Sequence, residues 1–222
     1  MFANVWRPRA GGGASGREGK AVPTSRLEAF SDGVLAIIIT IMVLELKVPT
    51  GSSFEALRHT AGTGLLSYLL SFIYVGIYWN NHHHMFHLVR QVSGGVLWSN
   101  LALLFCLSLV PFTTAWMDNT EYARIPVLVY GVNLLLAGVA YYVLQWVIIR
   151  HEGTSSMLRR AVGRDMKGRI SPVLYVAGIC FCLLDQRIWT WFGLACYVAV
   201  ALMWIVPDRR IDRVIRDLTS QD

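Results

Sequence analysis

The chain has 222 residues, of which 55% are hydrophobic and only 15% charged, and its mean hydropathy is +0.47. A soluble domain of this length exposes far more charge, so the composition excludes that class and predicts an integral membrane protein. Six apolar segments each approach the roughly 20 residues that a membrane helix needs. They predict an all-α protein with six transmembrane helices, over about 27–46, 62–81, 95–117, 125–149, 171–185 and 188–206.

The composition divides the chain into three parts. Residues 1–22 are rich in Gly and Arg and are predicted to form a disordered, basic cytoplasmic arm. Residues 23–207 hold the six apolar segments and form the transmembrane domain. Residues 208–222 are predicted to be an amphipathic cytoplasmic tail, because apolar side chains recur there at helical spacing: Ile211, Val214, Ile215 and Leu218.

The distribution of basic residues predicts the orientation in the membrane. Of the 20 Lys and Arg residues, 16 fall in the two terminal segments, the second-to-third connection and the fourth-to-fifth connection. The positive-inside rule therefore places both termini in the cytoplasm of a multi-pass protein of the cell membrane. The net charge of +6 then reflects topology and attraction to the lipid bilayer, and it does not indicate a nucleic-acid partner.

Neither catalytic nor cofactor-binding motifs are evident. The cysteines lie inside apolar segments, without the spacing of a disulfide framework or a zinc site: Cys106, Cys180, Cys182 and Cys196. Ser-His-Asp arrangements, phosphate-binding loops and paired catalytic carboxylates are missing as well. We therefore predict that the protein is not an enzyme and carries no cofactor and no metal.

The first apolar segment begins with polar residues. Ser25 followed by Glu28 has the form of a capping box, which predicts a helix from Ser25 to about Lys47. Asp32 lies near the start of this helix, and a carboxylate at membrane depth is costly and usually functional. Burying it unpaired costs several kcal/mol, so a partner is expected: Arg26 is the leading candidate, and a side chain of another helix is the alternative.

One face of the predicted first helix is apolar with a single hydroxyl group. At 100° per residue this stripe contains Gly33, Ile37, Thr40, Ile41 and Leu44, and Asp32 lies about 140° away from Ile37. Such a stripe can simply face neighbouring helices or lipid. It can also face symmetry mates around an axis and form a hydrophobic constriction, since channels can gate by dewetting at apolar rings. Periodicity alone leaves both interpretations open.

The second helix ends in a cluster of aromatic and imidazole side chains, Trp79-Asn80-Asn81-His82-His83-His84-Met85-Phe86-His87. Three interpretations are open. A metal or haem site is disfavoured because the sequence offers no matching carboxylate or Cys/His pair in another helix. A pH-sensitive element at the cytoplasmic mouth and a set of structural hydrogen bonds are the others, and the last is favoured.

Two further features concern packing. Pro111 can kink the third helix, as proline does in membrane helices. In the fourth helix Gly131, Asn133 and Gly138 suit close approach to a neighbouring helix.

The motif Arg-x-x-x-Phe-Ser-Asp at the start of the first helix resembles the signature of the transmembrane protein 175 family of potassium-permeable channels. Every fixed position is matched, by Arg26, Phe30, Ser31 and Asp32. The resemblance implies a homotetramer whose pore is lined by the first helix. It also implies the narrowest ring at the isoleucine five residues after the aspartate, selectivity at the following threonine, and further pore-lining positions one turn on: Ile37, Thr40, Ile41 and Leu44.

The resemblance also assigns a role to the Trp-x-x-His-His segment. It implies that Trp79, His82 and His83 pack against the Arg-x-x-x-Phe-Ser-Asp region and hold the first helix in place. Asn100, early in the third helix on the same side, is a further candidate partner. The sequence thus predicts a structural network around Asp32.

The function expected from these features is that of a leak-type channel that passes potassium ions. The Thr-Val-Gly-Tyr-Gly filter sequence of other potassium channels is absent. The alternative is a proton-coupled secondary transporter that uses Asp32 and the His82–His87 cluster as a relay, although internal repeats and broken helices are not evident. A membrane protein that binds metal or haem through the histidines is a third possibility.

Overall fold

The computed structural model describes residues 23–162 and 166–205. The predicted arm at 1–22 and tail at 208–222 lie outside these ranges. Within them the helices are α1 Thr24–Leu44, α2 Phe54–His87, α3 Gly94–Ser108, α4 Val110–Asn119, α5 Arg124–Glu152, α6 Met157–Val162, α7 Met166–Leu183 and α8 Arg187–Ile205, with a 3₁₀ turn at Gly153–Ser155.

Six spans in the described residues are long and apolar enough to cross a membrane: α1, α2, the pair α3–α4, α5, α7 and α8. This confirms the all-α, six-helix prediction. The second span exceeds its predicted limits most, because α2 runs from Phe54 to His87 and not from about 62 to 81. The fifth span also begins earlier than predicted, at Met166 and not near residue 171, because the charged residues Lys167 and Arg169 in its first turn lower the hydropathy there.

The third span is interrupted at Leu109, between the end of α3 and the start of α4. Pro111 lies in the first turn of α4. Proline has no backbone N–H, and its ring clashes with the carbonyl four residues earlier, so an unbroken helix through this point is unfavourable. The predicted kink is confirmed, and it divides the span into two helices.

The first helix does not begin as the capping box predicts. It starts at Thr24, with Pro23 at the N-cap and no side-chain hydrogen bond to the cap. Pro23 has a φ of −58°, which suits the residue at a helix entrance. Ser25 consequently lies inside the first turn, and the Glu28 side chain is free to contact α2.

The core of the bundle is organised around α5, which packs against α3, α4, α7 and α8. Helices α7 and α8 form a hairpin through the turn 184–186, and Arg124 at the start of α5 forms an ion pair with Asp185 in that turn. By contrast, α1 packs mainly on α2, α3 and α4. It therefore lies at one side of the protomer, and a large part of its surface remains uncovered.

Candidate functional site

Helix α1 has a buried face that attaches it to the bundle. Its buried side chains recur every three to four residues: Leu27, Ser31, Leu35, Ile38 and Met42. This spacing keeps them on one stripe of the helix surface. All except Ser31 belong to the hydrophobic core, so packing against α2, α3 and α4 fixes the rotation of α1 about its own axis.

That rotation leaves the predicted apolar stripe uncovered. Ile37 is 58% exposed, Ile41 43% and Leu44 79%, whereas their neighbours Leu35 and Ile38 are 1% and 3% exposed. Gly33 and Thr40 of the stripe are exposed as well. The protomer thus presents a continuous apolar surface along α1 that its own fold does not cover.

Thr40 contributes the hydroxyl group of this stripe. Its Oγ1 lies 3.0 Å from the carbonyl oxygen of Ala36 and 2.9 Å from that of Ile37, both on its own helix. A hydroxyl has one proton to donate and two acceptor lone pairs. Because Thr40 is exposed, the oxygen that donates to the helix still has lone pairs that can accept a hydrogen bond or approach a cation.

Beside the stripe, Asp32 is held by the second helix. The indole Nε1 of Trp79 donates a hydrogen bond to Asp32 Oδ1 at 3.0 Å. The expectation that Arg26 is the partner is wrong: Arg26 is exposed and forms no ion pair with any described residue. The two residues lie six positions apart on α1, which separates them around and along the helix.

One turn towards the N-terminus, α1 makes a second contact with α2. Glu28 Oε1 lies 3.0 Å from His83 Nδ1. Because Glu28 and Asp32 are four residues apart, and Trp79 and His83 are also four residues apart, the two helices meet through two matched pairs. The rings of Trp79 and His83 stack, with centroids 6.0 Å apart and planes inclined by 17°.

A chain of hydrogen bonds joins α1, α2 and α3 in the interior next to these pairs. The Ser31 hydroxyl donates to the Leu27 carbonyl at 2.9 Å, Asn100 Nδ2 donates to Ser31 Oγ at 2.9 Å, and His82 Nε2 lies 2.8 Å from Asn100 Oδ1. Ser31, Asn100 and His82 are all buried. Since Oδ1 can only accept, His82 Nε2 must carry the hydrogen, and the direction of every bond in the chain is defined.

The predicted residues are therefore only partly brought together. The structure joins Ser31, Asp32, Trp79, His82, His83 and Asn100, which we call the polar network, and it leaves Arg26 and Phe30 exposed outside it. Glu28 also belongs to this region, although the sequence predicted for it only a role in a helix cap. Its spacing of four residues from Asp32 places both carboxylates on one face of α1, but only the orientation of α2 shows that this face meets His83.

The expectation that no other helix offers a carboxylate to the histidines of α2 is wrong, because Glu28 of α1 lies beside His83. His87 Nε2 lies 3.0 Å from His83 Nε2, so that His83 contacts both a carboxylate and a second imidazole.

A cavity of about 550 Å³ opens beside the stripe, between α1 and the α3–α4 break. Ile37 and Ile41 line it from α1, and Pro111 and Phe112 line it from α4. Its walls are mostly apolar, and Phe112 is 61% exposed. The uncovered surface of α1 thus continues sideways into a groove on the same protomer.

Comparison with known proteins adds independent information. The family model described as endosomal/lysosomal potassium channel TMEM175 matches residues 26–111. A protein of Chryseobacterium sp. (strain P1-3) named as a potassium channel is 50% identical over 192 residues, which is 86% of this chain and 97% of that protein. A protein of Chamaesiphon minutus, also named as a potassium channel, is 32% identical over 80% of this chain and 92% of its own length.

The fold is similar to a solved structure as well. The crystal structure of a lysosomal potassium-selective channel TMEM175 homologue from Chamaesiphon minutus superposes with a TM-score of 0.67 and 27% sequence identity. The superposition covers 82% of this chain and 96% of that one. The similarity extends over most of the chain and is not confined to the motif at the start of α1.

Proposed function

This chain belongs to the TMEM175 family of potassium channels, and we propose that it passes potassium ions down their gradient through a pore lined by α1. It is a multi-pass membrane protein with six candidate spans among its described residues. It is a potassium channel, and the relatives that match it over most of its length carry that name. Membership of a family of ion channels is consistent with the prediction that the chain is not an enzyme. The alternative of a proton-coupled transporter finds no support among the relatives.

The observation that carries the pore proposal is the exposure of the α1 stripe. Each protomer buries Leu35 and Ile38 of α1 almost completely and leaves Ile37 and Leu44 more than half exposed. A helix at the lipid boundary also exposes apolar side chains, but lipid gives no reason for a hydroxyl group in the middle of the stripe. Thr40 at this position favours a surface that meets an ion path.

We propose that the stripe faces the same stripe of other copies in a homotetramer. The number four comes from the resemblance to the family, in which single six-helix units assemble in fours. The cavity between α1 and α4 supports assembly on this side, because a second copy can cover its apolar walls. A single protomer, in which α1 lies at one side, cannot enclose a path for ions.

In this arrangement the rings formed by α1 have distinct roles. Ile37 sets the narrowest point, where an apolar ring can exclude water and so control conduction. Ile41 and Leu44 line the path one and two turns further on, about 6 and 10 Å along the axis at the α-helical rise. Thr40 places four hydroxyl oxygens between these apolar rings, which gives a partly dehydrated potassium ion its polar contacts.

The polar network has a supporting role in this proposal. A pore helix that is packed on only one side needs fixed contacts, and Asp32–Trp79 and Ser31–Asn100–His82 supply them from two other helices. We assign His83 to the same task through Glu28. Arg26 and Phe30 are exposed on the protomer, and we propose that they complete the brace against a neighbouring copy.

We further propose that the channel lies in the cell membrane with both termini in the cytoplasm. The distribution of Lys and Arg along the sequence supports this orientation. The ends of α1 and α2 that carry the polar network then lie at the cytoplasmic mouth of the pore.

Potassium flux into proteoliposomes tests the proposal. We compare the wild type with Ile37→Asn, which places a polar side chain at the constriction, and with Ile188→Asn, which alters an isoleucine of α8 that is similarly exposed. Flux should increase or lose selectivity in Ile37→Asn and remain unchanged in Ile188→Asn. A folded, tetrameric wild type without potassium flux, or equal effects of the two substitutions, would contradict the proposal.

A further inference from the structure

A cluster of three metal-binding side chains lies at the junction of α1 and α2, apart from the apolar stripe. Glu28, His83 and His87 each offer one ligand atom, and these atoms all lie within 4.8 Å of one another. Two contacts of 3.0 Å join the cluster, Glu28 Oε1 with His83 Nδ1 and His83 Nε2 with His87 Nε2. They use opposite nitrogens of the His83 ring, of which one ion binds one. The rings of His83 and His87 meet edge to face, with centroids 4.3 Å apart.

The polar network and the proposed pore do not account for all three side chains of this cluster. The contact between Asp32 and Trp79 already fixes α1 to α2 at this level, and His87 has no part in it. Helix geometry brings His83 and His87 together, because side chains four residues apart share a face. Glu28 comes from another helix, so the three groups converge from two separate elements.

The donor set has the chemistry of a transition-metal site. Imidazole nitrogen with one carboxylate oxygen suits zinc and its first-row neighbours, which prefer such ligands to water. Two nitrogen ligands of a tetrahedral zinc ion lie about 3.3 Å apart, given Zn–N distances of about 2.0–2.1 Å. The observed separation of 3.0 Å between the two imidazole nitrogens therefore requires only a small opening of the pair.

The surroundings favour a cation and allow it to enter. His87 lies in the last turn of α2, where the dipole of a helix end attracts positive charge. The His83 side chain is 39% exposed and that of Glu28 is 22% exposed, and His87 is exposed too. An ion can thus reach the cluster from solvent and keep water in its remaining coordination positions.

We propose that Glu28, His83 and His87 form a binding site for one divalent transition-metal ion, of which zinc is the representative. The ion bridges α1 and α2, nine residues before Ile37 along the same helix. Binding there stabilises the contact of the pore helix with the bundle. Metal binding at this site does not depend on the proposed pore. Only an effect of the bound metal on conduction rests on the proposed function.

Titration of purified, tag-free and metal-stripped protein with Zn²⁺ tests the site. Isothermal calorimetry should give one zinc ion per chain in the wild type. His87→Ala and Glu28→Gln should each weaken binding by about tenfold or more, the effect typical of losing a supporting group or a ligand. His59→Ala, which removes an exposed histidine at the other end of α2, serves as the matched control and should bind as the wild type does.

Thermal unfolding supplies a second readout. Zinc stabilises a folded state that binds it, so the melting temperature should rise in the wild type and in His59→Ala, but not in His87→Ala. Absence of saturable binding, or equal affinity in His87→Ala and the wild type, would overturn the inference. Both measurements proceed without ion flux, so that failure of the metal site and failure of the proposed channel are distinguishable.

Discussion

Trp79 donates its indole N–H to the carboxylate of Asp32 at 3.0 Å, across the interface between the second and first helices. This single hydrogen bond connects the motif at the start of α1 with the aromatic and imidazole cluster at the end of α2. It gives one oxygen of the carboxylate a neutral donor, at a position that is partly open at the surface of the protomer.

Replacing Trp79 by Phe should destabilise the fold moderately. The substitution keeps an aromatic ring but removes the donor to Asp32, and hydrogen bonds between membrane helices contribute about 0.5–2 kcal/mol. Thermal unfolding in detergent measures the effect. Trp98→Phe is the matched control, because Trp98 is 74% exposed on α3 and should tolerate the change. Equal melting temperatures for the two variants would show that the bond does not stabilise the fold.

Asn100 and Asn133 are both buried asparagines, but they should respond differently to substitution by Ala. Asn100→Ala removes the acceptor of His82 and the donor to Ser31, and each buried group left unsatisfied costs about 1–3 kcal/mol. Neither side-chain polar atom of Asn133 has a partner among the described residues, so Asn133→Ala loses no hydrogen bond. Denaturation of the two variants side by side tests this, and an equal loss of stability contradicts it.

Thr40 should determine selectivity through its hydroxyl group. Thr40→Val keeps the shape of the side chain but removes the oxygen that faces the proposed path, so the preference for potassium over sodium should fall. Thr40→Ser retains the hydroxyl and should largely retain selectivity. Reversal potentials under mixed potassium and sodium gradients in planar bilayers report the difference. An unchanged reversal potential in Thr40→Val would remove Thr40 from the ion path.

Gly131 and Gly138 lie on the same helix and should differ in their tolerance of Ala. A Cβ atom at Gly131 would overlap the hydroxyl and ring of Tyr197, which is fully buried, so Gly131→Ala should cost about 1–3 kcal/mol through overpacking. At Gly138 the nearest atom to an added Cβ is 3.7 Å away, an ordinary contact. Gly138→Ala should be neutral or slightly stabilising, because Ala favours helix formation, and melting temperatures of the two variants decide the matter.

Much of the architecture could be predicted from local sequence. Six apolar segments of membrane length predicted the six spans, and Pro111 predicted a kink at the point where α3 and α4 separate, because both depend on properties of a few consecutive residues. The apolar stripe from Gly33 to Leu44 followed from helical periodicity. Its uncovered position did not, since which face of α1 is buried depends on the packing of α2, α3 and α4.

Partners across helices were predictable only in part. Asn100 and the histidines were identified as neighbours of the first helix, but Arg26 was expected at Asp32 where the structure has Trp79. The sequence records the presence of donors and acceptors, and the choice among them depends on relative helix rotation. The pairing of Glu28 with His83 has the same origin, as does the contrast between Gly131 and Gly138.

The sequence by itself thus determined the class of protein, the number of spans and the residues that form the two faces of the first helix, because hydrophobic length and period are local properties. Only the tertiary structure decided which face of α1 remains open, which donor satisfies Asp32 and that a carboxylate meets His83 and His87. These features depend on the packing of helices that are distant in sequence, where differences of about 1.5 Å per residue in axial position decide which side chains come into contact.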